Sequence, residues 1–196
     1  MILAPSARKL VLALHLTTSV GWLGAVTAYL PLDVTVAITD DAGTARGAWA
    51  AMGLIANSVL VPLALISLLT GSVISLGTRW GVIRHWWVVV SLVLTVVAVI
   101  ALLIESRVIT ESAAIAATPT TTVERLLALP PTLPHSVGGL LVLLVIQWLN
   151  VYKPQGLTPY GWRRLQEERA RIQPASAGPT LTMPGRNRND LDEARR

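Results

Sequence analysis

The sequence predicts an all-α, polytopic membrane protein: an antiparallel four-helix transmembrane bundle (1–152) followed by a basic, largely disordered cytoplasmic tail (153–196). Three observations predict it. Four apolar runs, at about 10–30, 52–76, 86–104 and 133–151, come close to the roughly 20 residues a helix needs to cross about 30 Å of hydrocarbon. Only 14% of the 196 residues are charged, whereas soluble domains carry about a quarter. Those charges gather in the tail and in short patches between the apolar runs, and mean hydropathy is +0.58.

Each run must be helical in lipid, where no water satisfies the backbone. The first begins after Arg8 and Lys9. Ala25-Val26-Thr27-Ala28 has the look of a signal-cleavage site, but the run carries polar residues through its middle and continues past that point, so it is expected to be retained. After Pro31, "LDVTVAITDDAG" can continue the helix to about Thr39, and Asp40 or Asp41 can cap the next. Pro62 should kink the second span. "IESRVITESAAIA" can extend the third, with Arg107 and Glu111 paired at i,i+4. "ATPTTTVERLLALPPTLP" is the one long connection, and its prolines and threonines read as an extracytoplasmic loop.

Lys and Arg set the orientation. Arg8, Lys9, Arg79, Arg84, Lys153, Arg163 and Arg164 fall on one side, which is expected to be cytoplasmic, so both termini face in. Trp80, Trp86, Trp87 and Tyr152 then lie at the inner interface, and Tyr29 and Trp49 near the outer one. The tail holds nine basic and five acidic residues. "GWRRLQEERARIQ" suits a short surface helix, and the Pro/Gly-rich remainder suits disorder. The basic cluster reads as a topology determinant in contact with anionic lipid, not as a nucleic-acid site. The absence of cysteine excludes disulfides, thiol chemistry and thiolate zinc sites.

Within the first helix His15, Ser19, Trp22, Val26, Tyr29 and Asp33 recur at steps of 4 and 3, forming one stripe that should face protein. Gly21, Gly24 and Ala28 form a second, small-residue face that would admit a neighbouring backbone. Matching polar seams run through Ser67, Thr70, Gly71, Ser75 and Thr78; through Ser91, Thr95, Ala98, Leu102 and Glu105; and through His135, Gln147 and Asn150. His15 has two readings: a neutral imidazole bonded to a neighbouring Ser or Thr, or a cofactor ligand with His85 as second ligand. His135 lies on the order of 20 Å away in depth, so a three-histidine metal centre is not expected. No nucleophile–base grouping, phosphate loop or dinucleotide fingerprint is present, and no catalytic residue is expected.

"HLTTSVGWLGA", "LTGSVISLGTRWGVIRHWWVVVSLVLTVVAVIALLI", "PHSVGGLLVLLV" and "NVYKPQGLTPYGWRR" resemble a group of actinobacterial four-span integral-membrane proteins of unknown function. The resemblance covers roughly 8–164 and implies a small bacterial inner-membrane protein. A looser likeness reaches the copper-resistance D-type membrane proteins and the HemJ-type protoporphyrinogen oxidases, through His15 and Trp22-Leu23-Gly24. The HemJ likeness implies haem binding at His15. Relatives often carry Lys in the third span where this chain has Ser91, a departure that counts against a porphyrin role for that helix.

The expectation is therefore a multi-pass protein of the bacterial cytoplasmic membrane without catalysis of its own, a scaffold or partner subunit. It would meet the lipid bilayer and a membrane-protein partner or a second copy, and no nucleic acid. The alternatives are a redox protein binding haem b or a metal at His15, and a transporter of small solutes or metal ions.

Overall fold

The computed structural model describes residues 4–77, 83–154 and 156–172. Every regular element among them is helical: α1 (Pro5–Ile38), α2 (Ala42–Ile55), a π-helical turn (Ala56–Leu60), α3 (Val61–Gly77), α4 (Trp86–Ala117), α5 (Val123–Leu127), α6 (Leu133–Tyr152) and α7 (Pro159–Ile172). Four helical stretches are long and apolar enough to cross a membrane: α1, the continuous rod Ala42–Gly77, α4 and α6.

Local chemistry sets the ends. Pro5 starts α1, where its missing N–H costs nothing. Asp41, not Asp40, caps α2 by accepting the Thr44 N–H at 2.7 Å. Thr122 caps α5 through the Arg125 N–H. α1 and α4 run on past their apolar cores to Ile38 and Ala117, as the extensions in the sequence suggest. Just before Pro62, where the sequence predicts a kink, the helix carries the π turn Ala56–Leu60. Proline has no N–H for the Ser58 carbonyl and its ring crowds that oxygen, so the backbone widens. The Val61 N–H reaches back to Ala56 O, and Asn57 Nδ2 donates to Gly53 O at 2.9 Å.

The described helices pack as a ring. α1 lies against the α2–α3 rod and against α6, and α4 lies against the same two. Alternating chain direction puts Pro5, Gly77, Trp86 and Tyr152 at one end, here the near end, and Ile38, Ala42, Ala117 and Leu133 at the far end. α2 and α4 approach closely because Gly53 has no side chain: a Cβ there would stand 2.9 Å from the Ala113 Cβ. No neighbour lies within 4 Å of where a Gly24 Cβ would be, and Gly24 and Ala28 are exposed. Gly21 of the same face does lie against α3, where a Cβ would stand 3.6 Å from Leu63 Cδ1, so the small face meets a neighbouring helix at Gly21, while Gly24 and Ala28 stay exposed.

The best-buried large side chains, Trp49, Tyr29, Met52, Leu126 and Asp33, gather at the far end, where α5 packs on α2. Tyr29 and Trp49 are therefore buried in the far-end core and not exposed on the outside of the ring. At the near end Trp86 and Tyr152 are exposed, whereas Trp80 lies outside the described residues.

α6 ends in a left-handed residue, Lys153 (φ 45°), whose N–H caps Leu149 O at 3.0 Å. The chain then runs back along the start of α4. Trp86 N–H donates to Gly156 O, Thr158 N–H to Arg84 O at 3.1 Å, and the Thr158 hydroxyl to Ile83 O. The first compact unit accordingly ends at Thr158, and the second begins at Pro159. Within the second, α7 is the expected short helix, with Arg164 beside Tyr160 and Glu167. The expectation of disorder after it concerns 173–196, outside the described residues.

Candidate functional site

Among the described residues, a polar contact ties each of the four seams of the ring. His15 on α1 bonds α3. Asn57 Nδ2 donates to Thr110 Oγ1 on α4 at 2.9 Å. Ser91 on α4 donates to Asn150 Oδ1 on α6 at 3.2 Å. The Thr132 hydroxyl, at the head of α6, donates to Asp33 on α1. Most other hydroxyls along the seams bond carbonyls of their own helix three or four residues back: Thr18 to Leu14, Ser19 to His15, Thr70 to Ile66, Thr95 to Ser91. In apolar surroundings the hydroxyl hydrogen is satisfied locally, which leaves oxygen lone pairs for whatever lies between the helices.

His15 Nδ1 stands 3.1 Å from Ser67 O and 3.2 Å from Thr70 Oγ1. A carbonyl only accepts, so Nδ1 carries the hydrogen and Nε2 carries the lone pair. The ring fits against the α3 backbone because position 71 is glycine; a Cβ there would sit 2.9 Å from His15 Cε1. Thr70's own hydrogen is engaged by Ile66 O at 2.7 Å, so the pair is not an activated nucleophile. The first reading of His15, an imidazole bonded across to a hydroxyl, describes the geometry, and the same bond also holds the ring as a ligand would be held.

Beside His15 opens a cavity of about 460 Å³, within the size range of small-molecule sites. It lies in the near half of the ring. Ser19, Ser67, Ser75, Ser91, Thr95, Gln147 and Asn150 supply polar groups from α1, α3, α4 and α6. Leu12, Leu16, Leu68, Leu92 and Ile146 supply apolar walls, and Arg8 and Lys153 stand among the lining residues nearest the helix ends. Trp22 marks its deep limit, beyond which the core is closed.

No family model matches the chain, and no curated protein or solved structure does either.

The two histidines singled out as ligands are placed differently. His15 lines the cavity; His85 is not among its lining residues and sits half-buried at the head of α4, bridged to Leu157. His135 is at the far end, 3.6 Å from Glu105. Among the described residues no group of three or more His, Asp or Glu could hold a metal ion. Of the polar-seam positions, Ser67, Gly71, Ser75, Ser91, Thr95, Gln147 and Asn150 line the cavity, whereas Thr70, Ala98, Leu102, Glu105 and His135 are not among its lining residues. The Asp33–Thr132 contact was not foreseen: Asp33 carried a signal, its place on the His15 stripe, but Thr132 lies in a Pro/Thr loop with no periodicity.

Proposed function

We propose that this chain is a multi-pass protein of a bacterial cytoplasmic membrane, both termini inside, that acts as a ligand-holding partner subunit or scaffold without catalysis of its own. Outward-facing Leu10, Leu69, Val93, Val97, Ile100 and Leu141 support lipid around the ring, since such a belt would be a liability in water. Basic residues at the near-end helix termini support that end as the inner one. The observation that carries the ligand reading is the cavity beside His15. Its polar groups lie on apolar walls, and Arg8 and Lys153 add positive charge. That chemistry suits an amphiphile with an anionic or hydrogen-bonding head and an apolar body.

A second reading is haem b held by His15 alone, favoured by the Nδ1–H bond to Ser67 O, which leaves Nε2 as the free donor to a metal. Arg8 and Lys153 suit acidic substituents on such a group, and haem would supply one-electron chemistry.

One preparation separates these readings. Purify the full chain in mild detergent after expression with haem supplied, record its visible spectrum, and identify bound small molecules by native mass spectrometry. A colourless protein with a bound amphiphile, lost on Ser91→Leu, supports the first reading. A Soret band lost on His15→Ala supports the second. Protein free of both, even when lipid extract and haem are added back, overturns the ligand reading.

A further inference from the structure

The cavity beside His15 is not sealed from the outside of the ring. Leu12 is 43% exposed, Leu16 51% and Val151 64%, yet all three also line it. Side chains that border both the cavity and the exterior stand at an opening. Helix phase says which seam is open. On α1, His15 and Gly21 lie against α3. At about 100° per residue, Leu16 is turned from His15 in the sense opposite to Gly21, and Leu12 and Ser19 lie between His15 and Leu16. That side of α1 is the α6 side, since α6 is its other neighbour in the ring. The polar contacts among the described residues agree. In the near half, His15 ties α1 to α3 and Ser91–Asn150 ties α4 to α6, whereas the α1–α6 seam is tied at the far end, through Asp33 and Thr132. From Arg8 to Leu16 the opening runs about 12 Å along the helix.

The hydroxyls inside are acceptors. Ser19, Ser75, Ser91 and Thr95 line the cavity with their hydrogens already donated, to His15 O, Ser72 O, Asn150 Oδ1 and Ser91 O. What remains on them is lone pairs, which call for a guest that donates. No Asp or Glu stands among the described lining residues, and Arg8 and Lys153 do, so a cationic amine meets no counter-charge there and an anionic group meets two. A guest that donates without being a cation carries hydroxyls.

We propose, resting on the ligand reading above, that the guest is an anionic glycerophospholipid with a hydroxylated head, taken sideways from the near-end leaflet through the gap between α1 and α6. Its phosphate meets Arg8 and Lys153, its head-group hydroxyls donate to the Ser and Thr oxygens inside, and its chains stay outside along Leu12, Leu16 and Val151. This matches the direction of a lipid already in that leaflet. The phosphate lies level with the helix ends and the chains point toward the middle of the bilayer, so the lipid enters without turning over.

Lipid competition on the full chain in mild detergent tests this. Phosphatidylglycerol and phosphatidylcholine with the same chains are added in equal amounts, and retained lipid is counted by native mass spectrometry. One phosphatidylglycerol per chain should be held, several-fold in preference to phosphatidylcholine. Arg8→Gln should remove most of that preference. Leu16→Trp, at an exposed position that tolerates the larger ring, should cut retention several-fold by blocking the opening. Leu69→Trp, equally exposed but on α3 and not a lining residue, should leave it unchanged. Equal retention of the two lipids, or retention indifferent to Leu16→Trp, overturns the inference. Glycerol phosphate without chains, bound as well as the lipid, overturns the lipid source. A different amphiphile that phosphatidylglycerol does not displace overturns this inference and leaves the ligand reading standing, whereas a chain that holds no small molecule overturns both.

Discussion

His15 shows how much one position can depend on another far away in sequence. Its ring is held by a carbonyl on α3 and admitted by the missing side chain at Gly71. Gly71→Ala should push the ring off α3 and cost about 1–3 kcal/mol, the usual penalty of overpacking. A melting curve in detergent reads the loss, and a changed imidazole nitrogen-15 shift reads the broken Nδ1–H bond. Asp41 makes a different kind of prediction. The Thr44 N–H holds its carboxyl below the ordinary range. A carboxyl depressed in the folded chain stabilises fully above its unfolded value, near pH ~3.9, and loses that contribution as pH falls through the folded value. Asp41→Ala should therefore melt lower than the parent at neutral pH, with the gap closing in acid. His15's inward stripe was legible in the sequence, because 4-and-3 spacing fixes a helix face. Its partner was not, because nothing local in "ISLLTGS" says which carbonyl an imidazole 52 residues earlier will meet.

Helix ends and interruptions follow local rules, so most elements could be read from the sequence. The Asp41 cap, the long extensions of α1 and α4 and an irregular turn near Pro62 all rest on signals within a few residues. The form of that turn does not, since a kink and a widened turn both relieve a proline. The C-terminus of α4 is secured from outside itself. Arg46 donates from Nη1 to Ala116 O and Thr118 O, and from Nη2 to Thr121 O at 2.7 Å. These charge-assisted bonds satisfy carbonyls that the helix leaves open, and they place a cation at the negative end of its dipole. Arg46→Ala should cost about 1.5–3 kcal/mol. Hydrogen exchange should rise first at the α4 end and the following turn, not at the start of α4.

Across the whole molecule, four helices long and apolar enough to cross a membrane, with apolar exteriors, follow from composition and appear in the sequence. The division into a dense far half and a hollow near half does not, because a void depends on how four separate seams close. Ser91 and Asn150 were marked as polar; that they flank open space follows only from the packing of α4 on α6. The proposed orientation is testable because the chain has no native cysteine. Single cysteines at Thr120 and at Arg169 should react with an impermeant maleimide from opposite sides of intact cells, Thr120 from outside and Arg169 only after lysis. Labelling of both from the same side would overturn the arrangement.

The floor of the cavity has a mechanical corollary. Trp22 closes it, and behind Trp22 stand Val26, Tyr29, Trp49 and Met52, all nearly or wholly sheltered. Leu12, Leu16 and Val151, which line the same space, are exposed on the outside of the ring, so a molecule held there stays in reach of the surrounding medium while the far end is filled. Storage, sensing or presentation to a neighbour is the use that the proposed ligand reading gives such an alcove.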